Sequence, residues 1–265
     1  MLTSIAFVAT LALAPAEASE LNLTNVRFTY GVMGSTRPDT NFLPGDDAVL
    51  CFDVEGIQAD DEGRVLYSVG MEVADGKGKV HFKQKPRDLE ANNCLGGTSF
   101  PAFARVNIGL DEPPGEYTLK VKVTDRSTRA SQVVSKTYTV LPRAFGLVRL
   151  STTADAEGQA PLPVAGVGQT LWINFLAVEF GRKKGRPSLN AVMRVLDADG
   201  RPTMRKPLGG KVNEEVPKNL RALPMQFLLD LNRPGKFTVE VKVTDEVTGD
   251  KASLSFPLKV VKTDN

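Results

Sequence analysis

One stretch of twelve residues occurs twice in the chain, and this repeat limits the folds that the sequence can adopt. The first copy is Pro114–Asp125 (PGEYTLKVKVTD) and the second is Pro234–Asp245 (PGKFTVEVKVTD), at an offset of 120 residues. An offset of this length matches one domain and is too long for the unit of a solenoid. The repeat therefore predicts two domains of the same fold in tandem.

Both copies alternate apolar and polar residues with a period of two. The apolar positions are Tyr117, Leu119, Val121 and Val123 in the first copy and Phe237, Val239, Val241 and Val243 in the second. This alternation is typical of a half-buried antiparallel strand, and the Pro-Gly before it supplies a tight turn. Similar strands separated by turn signals, about seven in each half, and the lack of helical periodicity predict an all-β chain of two tandem antiparallel β-sandwiches.

The repeated pattern P-G-x-[YF]-T-ϕ-x-V-x-V-T-D resembles the penultimate strand of bacterial immunoglobulin-like and fibronectin type III-like domains. Tyr117 lies where such domains carry a tyrosine-corner residue. The resemblance implies two immunoglobulin-like sandwiches, and domains of this kind are mostly exported spacers, adhesive modules or binding modules. The chain lacks the inter-sheet cysteine pair and the core tryptophan of antibody domains.

The N-terminal residues differ in composition from the rest of the chain. Residues 2–14 are apolar apart from one Ser and two Thr, and small residues with A-x-A spacing follow. This pattern is typical of a secretory signal peptide, and the apolar run is too short for the alternative, a membrane anchor. We expect a signal peptide at 1–19, one immunoglobulin-like sandwich at 20–141, a second at 142–265, and no transmembrane segment in the mature chain.

The two cysteines and the single tryptophan are candidates for structural or binding roles. In an exported chain, Cys51 and Cys94 favour a disulfide, and the alternative is two separate reduced thiols. Period two places Cys51 on the face opposite Leu50 and Phe52, so the bridge would cross the outer face of its sheet. Trp172 aligns with Cys51 at an offset of 121 residues. It either packs on its own sheet or is an exposed aromatic in a binding patch.

The densest run of charge lies in a predicted loop between two strands. Its cations, with two further candidates that we expect nearby, are Arg182, Lys183, Lys184, Arg186, Arg205 and Lys206. Such a cluster suits an anionic polymer, whereas a solvated loop without a ligand is the alternative. No aromatic residue interleaves the run, which argues against single-stranded nucleic acid.

Residues that could carry out catalysis are sparse. His81 is the only histidine, and without a partner it makes neither a His-based metal site nor an evident triad. The sequence motifs of hydrolases, nucleotide-binding loops and zinc proteases are absent. Asp197–Gly200 resembles part of a calcium loop, but a hairpin turn explains it equally. We expect no catalytic residue, no cofactor and no metal, and a hydrolase with converging carboxylates is kept as an alternative.

These observations predict an exported, non-catalytic binding or structural module of the periplasm or cell surface. Its partner would be an envelope protein or an anionic polysaccharide, and nucleic acid is not expected. The alternative is a periplasmic chaperone-like or assembly accessory protein that offers a sheet edge to a client strand. That alternative predicts a long, unprotected edge strand.

Overall fold

A computed structural model describes residues 20–263. The predicted signal peptide at 1–19 lies outside the described residues. Within residues 20–263 the chain forms sixteen strands, and no apolar helix of membrane-spanning length occurs there.

The first eight strands form one sandwich. They are Asn22–Thr29 (β1), Asn41–Phe42 (β2), Asp47–Glu55 (β3), Arg64–Asp75 (β4), Val80–Asn92 (β5), Ser99–Asn107 (β6), Gly115–Asp125 (β7) and Ser131–Val140 (β8). A three-stranded sheet in the order β1-β3-β6 faces a five-stranded sheet in the order β2-β8-β7-β4-β5. The two sheets share one core, as expected for a sandwich.

The next eight strands repeat this arrangement. They are Gly146–Thr153 (β9), Ala165–Gly166 (β10), Thr170–Val178 (β11), Leu189–Leu196 (β12), Leu208–Val212 (β13), Ala222–Asp230 (β14), Gly235–Asp245 (β15) and Lys251–Val261 (β16). Their sheets have the orders β9-β11-β14 and β10-β16-β15-β12-β13. Each strand of the first sandwich therefore corresponds to the strand eight places later, and the predicted all-β fold of two sandwiches is confirmed. The short strands β2 and β10 pair parallel with β8 and β16, and the other strand pairs are antiparallel. The repeated stretch forms β7 and β15, which are interior strands.

The alternating residues of the repeated strands enter the two cores. The buried apolar side chains on these strands are Leu119, Val121 and Val123 in the first sandwich and Val239, Val241 and Val243 in the second. Phe52 and Phe175 pack into the same two clusters from the opposing sheets. Burial of one such side chain contributes roughly 1.5–3 kcal/mol.

Tyr117 makes the contact that the resemblance implies for a tyrosine corner. Its hydroxyl donates a hydrogen bond to the carbonyl oxygen of Pro113 at 3.0 Å. Burial, followed by the neighbouring carboxylate of Glu112, raises the pKa of Tyr117 to about 12. Phe237 occupies the corresponding place in the second sandwich and has no hydroxyl, so this anchor belongs to the first sandwich alone.

The polar segment at 77–97 differs from expectation. The sequence predicts one short strand around Val80–Phe82, whereas β5 extends over 13 residues. It lies at the edge of its sheet, where polar side chains reach solvent from both faces. At Lys85–Pro86 the pairing with β4 shifts register, so that two residues lie opposite Gly70. This is a β-bulge, the usual way for a sheet edge to accommodate a proline.

Both copies of the repeated stretch end on a buried carboxylate. Asp125 accepts a hydrogen bond from the amide of Ser127 at 2.7 Å. Asp245 accepts the corresponding bond from the amide of Val247 at 2.8 Å and a further bond from the amide of Gly181 at 2.6 Å. Asp245 therefore joins two loops, which explains why a hairpin residue is fully buried.

Replacing Asp245 with Ala should lower the free energy of unfolding of the second sandwich by about 2–4 kcal/mol, because the partly buried amides that donate to it lose their partner. Trp172 is the only tryptophan and lies in this sandwich, so its fluorescence during urea unfolding measures the change. Asp250→Ala is the matched control, since Asp250 is an exposed carboxylate in the same hairpin. Equal losses in the two variants would contradict this role of Asp245.

Candidate functional site

A cleft of ≈ 770 Å³ lies between the two sandwiches. Its walls are the outward faces of the two three-stranded sheets, with Phe103 and Arg105 on β6 and Asn174 and Leu176 on β11. Charged residues of both sandwiches line its base. Clefts of this size are typical of ligand-binding pockets.

The base of the cleft contains a buried ion pair. Arg37 Nη1 lies 3.0 Å from Asp46 Oδ2, and the two side chains are only 9% and 5% exposed. The guanidinium also lies 4.2 Å from the ring centroid of Phe42 and 4.8 Å from that of Tyr30, and it donates to the carbonyl oxygen of Asn41 at 3.0 Å. A buried pair persists only with such additional partners, because both charges have lost their hydration.

Asp46 also binds the second sandwich. Its Oδ1 accepts a hydrogen bond from the backbone amide of Arg149 at 2.7 Å. The Arg149 guanidinium donates in turn to the carbonyl oxygen of Gly45 at 2.9 Å and to Asn107 Oδ1 at 2.6 Å. Arg149 has a φ of 54° at a point where the pairing of β9 with β11 shifts register. This uncommon conformation for Arg directs both its amide and its side chain towards the first sandwich.

A second set of contacts joins the sandwiches at the far end of β6. Asp111 Oδ2 lies 2.8 Å from Arg221 Nη1, and its other oxygen pairs with Arg143 of the linker. The hydrogen bond from Arg221, together with the charge of Arg143, holds the pKa of Asp111 below its usual value. These side chains are exposed, so each pair contributes little alone.

Apolar contacts complete the junction. Tyr30 follows β1 of the first sandwich, but its side chain packs in the core cluster of the second. Gly146 begins β9 against Leu43, and a Cβ at this glycine would lie 2.1 Å from Leu43 Cδ1. A side chain at this position would require Leu43 to move, so the two sandwiches touch directly where the linker ends.

Asp47 lies beside this junction and is a partly buried carboxylate with few compensating contacts. Its Oδ1 lies 3.5 Å from Arg149 Nε, and within residues 20–263 that oxygen has no hydrogen-bond partner. Burial raises the pKa of Asp47, and the opposing charges of Arg149 and Arg105 only partly offset this effect.

The structure does not contain the predicted Cys51–Cys94 disulfide, because both cysteines are free. Cys51 is fully buried in β3, with its Sγ 3.2 Å from Thr29 Oγ1. Cys94 is exposed in the loop after β5. Cys51 lies in a three-stranded sheet, whereas Cys94 lies outside any strand. The strand pattern predicts that Cys51 faces the outer surface of its sheet, but its side chain is fully covered.

The predicted cationic loop divides into two parts. Arg182 is used internally: it donates to the carbonyl oxygen of Lys218 at 2.8 Å and to that of Leu220, and its guanidinium lies over the ring of Phe180. The exposed cations that remain are Lys183, Lys184 and Arg186, and they share a shallow depression with Glu215 and Glu246. These carboxylates reduce the positive charge of the site.

The expectation that Arg205 and Lys206 lie near this loop is wrong. Arg186 comes just before β12, whereas Arg205 and Lys206 come after it, in the connection to β13. The eight residues of β12 place the two groups about 23 Å apart at roughly 3.3 Å per residue.

The remaining candidates lie outside the cleft. Trp172 is half-buried on the outer face of β11. It lies opposite Leu228 of the neighbouring strand β14, which is 40% exposed. His81 Nε2 lies 2.7 Å from Asp75 Oδ2, and this hydrogen bond lowers the pKa of Asp75. Within the part of the chain that the structure describes, no group of three or more His, Cys, Asp or Glu side chains could hold a metal ion.

No protein-family model matches the chain, and no curated protein matches it. Solved structures with similarity include red sea bream transglutaminase, with 9% identity and a TM-score of 0.28 over 94% of this chain and 32% of that chain. The C-terminal domain of the Streptococcus pyogenes antigen I/II-family protein AspA matches at 8% identity and a TM-score of 0.29, covering 92% of this chain and 100% of that chain. The C-terminal domain of the Streptococcus agalactiae AgI/II polypeptide BspA matches at 8% identity and a TM-score of 0.31, covering 90% of this chain and 100% of that chain. Similarity at these scores carries no argument about function.

Sequence reasoning missed the residues at the base of the cleft. Arg37 and Asp46 lie in a loop that the sequence marks only as rich in turn-forming residues. The two copies differ here: β3 and β11 begin 123 residues apart, so the uncharged Gln169 takes the place of Asp46. A charge present in one copy and absent from the other indicates a contact that the repeat itself does not need.

Replacing Arg149 with Ala should loosen the junction and lower the free energy of unfolding by about 1–2 kcal/mol, because two side-chain hydrogen bonds between the sandwiches are lost. The radius of gyration from small-angle X-ray scattering should increase. Arg201→Ala is the control, since Arg201 is 78% exposed and pairs only weakly, with Asp199 at 3.6 Å. Unchanged scattering and stability in Arg149→Ala would contradict its role.

Replacing Asp47 with Asn should stabilise the chain at pH 7. A raised pKa means that the folded chain binds the Asp47 proton more tightly than the unfolded chain, so stability is lost as pH rises through that pKa. The advantage of the Asn variant in melting temperature should therefore shrink as pH falls towards 4. Asp61→Asn, at an exposed carboxylate, is the control, and an advantage that stays constant with pH would exclude this assignment.

Proposed function

We propose that the chain is an exported, non-catalytic module of the periplasm or cell surface, which binds another envelope component in the cleft between its sandwiches. The observation that carries the proposal is the junction formed by Asp46 and Arg149, which holds the two walls of the cleft together. A preformed cleft lowers the entropic cost of binding, since its walls need no rearrangement.

The walls of the cleft favour a ligand with an anionic group beside an apolar surface. Phe103 is 44% exposed on the edge strand β6, and Arg105 lies on the same face two residues further on. An exposed ring beside a guanidinium suits an acidic sugar or an acidic peptide segment. The two sources share this chemistry, and binding experiments distinguish them.

The surroundings of the single histidine support the non-catalytic part of the proposal. His81 contacts the carboxylates of Asp75 and Glu112 and the ring of Tyr117. This arrangement provides no nucleophile for a histidine base to activate. The contacts explain His81 as a residue that joins the end of β4 to the edge strand β5.

The test compares two variants of the secreted chain, expressed with residues 1–19. Phe103→Ala with Arg105→Ala alters the cleft, and Lys183→Ser with Lys184→Ser and Arg186→Ser alters the exposed loop; Arg182 is kept because of its internal contacts. Affinity electrophoresis in polygalacturonate, with dextran as the neutral control, measures binding to polysaccharide. Pull-down from envelope extract with mass spectrometry measures binding to protein.

We expect the cleft variant to lose about tenfold or more in affinity for one of these partners, and the loop variant to retain it. Loss in the loop variant alone would assign binding to the loop cations instead. Equal binding by all three proteins would overturn the role of the cleft. The mass of the secreted chain tests export, since cleavage after Ala16 or Ala18 removes the signal peptide.

A second candidate function rests on β5. The chaperone-like alternative requires a long, unprotected edge strand, and β5 meets the condition of length with 13 residues. Lys83, Lys85 and Pro86 lie along it, and lysine and proline at an edge restrict pairing with arbitrary strands. A client strand would therefore need a matching pattern of charge.

A further inference from the structure

The strand β5 is a long sheet edge that is open on one side. It hydrogen-bonds to β4 alone, and the opposite edge of the same sheet is β2, which has two residues. An open edge is a template for a further strand. We propose that β5 pairs antiparallel with β5 of a second copy of this chain, joining two five-stranded sheets across a two-fold axis; this inference goes beyond the cleft and does not depend on it.

The charge along β5 changes sign at its middle, and this favours an antiparallel copy as the partner. Before the bulge Lys83 and Lys85 are basic, whereas after it Asp88 and Glu90 are acidic and Arg87 is the one cation on that arm. Antiparallel pairing places the basic half of each strand against the acidic half of the other, and opposite charges across a strand pair are stabilising. Parallel, in-register pairing of two β5 strands would place like charges opposite each other, so the charge pattern disfavours a parallel dimer.

The side chains also match by face. In the register that places Lys83 opposite Asp88 of the second copy, Phe82 lies opposite Leu89. The pairing of β5 with β4 places Phe82 and Leu89 on the core side of the sheet and Lys83 and Asp88 on the outer side. Both cross-strand pairs therefore join side chains of the same face, as a continuous sheet requires.

The exposed apolar residues of β5 point to the same partner. Val80 and Phe82 are 45% and 44% exposed at one end of the strand. Leu89 and Ala91 lie at the other end, where they are partly buried. Antiparallel pairing places the Phe82 end of each strand beside the Leu89 end of the other. Each Phe82 therefore gains an apolar neighbour and loses contact with water.

The bulge at Lys85–Pro86 lies at the centre of this register. Pro86 has no amide hydrogen, so it divides β5 into two arms that pair separately. A centrally placed bulge is compatible with a two-fold axis, because each copy then meets the same irregularity in its partner. The dimer closes after two copies, since β2 leaves only a very short edge at the other side of the sheet.

This dimer does not need a disulfide. Cys94 is exposed two residues after the end of β5. In the antiparallel register the two Cys94 residues would lie at opposite ends of the paired strands, about 56 Å apart at roughly 3.3 Å per residue. A dimer linked through Cys94 is therefore a different species, which a reducing agent removes.

The test exchanges the charges of the two arms. The acidic variant carries Lys83→Glu and Lys85→Glu, and the basic variant carries Asp88→Lys and Glu90→Lys. Wild-type chain in reducing buffer should sediment as a dimer at tens of micromolar in low salt, with each variant associating about a hundredfold more weakly. An equimolar mixture of the two variants should form a heterodimer, because all facing charges are then opposite.

The mixture also controls for folding, since a heterodimer forms only from folded edges. Lys83 and Asp88 are 68% and 63% exposed, so loss of their own ion pairs with Glu72 and Arg126 should cost little stability. A monomeric wild-type chain, which would leave β5 open to a client strand, would overturn the proposal. Dimers that persist in both variants would overturn it as well, as would a mixture that stays monomeric.

Discussion

The carboxylate of Asp46 is shared between two parts of the molecule that the repeat alone would leave independent. One oxygen pairs with Arg37 inside the first sandwich, and the other accepts the amide of Arg149 from the second. A buried carboxylate has lost its hydration, so it is stable only if both oxygens have a hydrogen-bond donor or a cation as partner. The angle between the sandwiches, and hence the shape of the cleft, depends on these contacts of the Asp46 carboxylate.

Most of the fold could be predicted because it follows from local alternation. The residues around Leu119 and Val239 need only their own strand pattern to assign which face is buried, and the turns before them need only Pro-Gly. The length of β5 could not be predicted in the same way. Its residues are polar because they lie at an edge, so their strand conformation comes from pairing with β4 and leaves no apolar pattern to detect.

The candidate site could be predicted only in part, for a similar reason. The exposed cations Lys183, Lys184 and Arg186 can be recognised from the sequence. Arg182 cannot be distinguished from them there, because its hydrogen-bond acceptors at 218 and 220 are known only from the structure. The cleft is made by residues far apart in the chain, and their charges are ordinary in composition. Contacts over such separations depend on the relative orientation of the two folded sandwiches, and the strand pattern of neither sandwich predicts that orientation.

The position of Tyr30 makes the contact between the two sandwiches asymmetric. This side chain leaves the first sandwich and fills part of the core of the second, while no described residue of the second sandwich is grouped with the core of the first. The core of the second sandwich therefore includes a side chain from outside its own repeat. Tyr30 precedes every strand of the second sandwich in the chain, so this side chain has already been synthesised when the later copy forms its core.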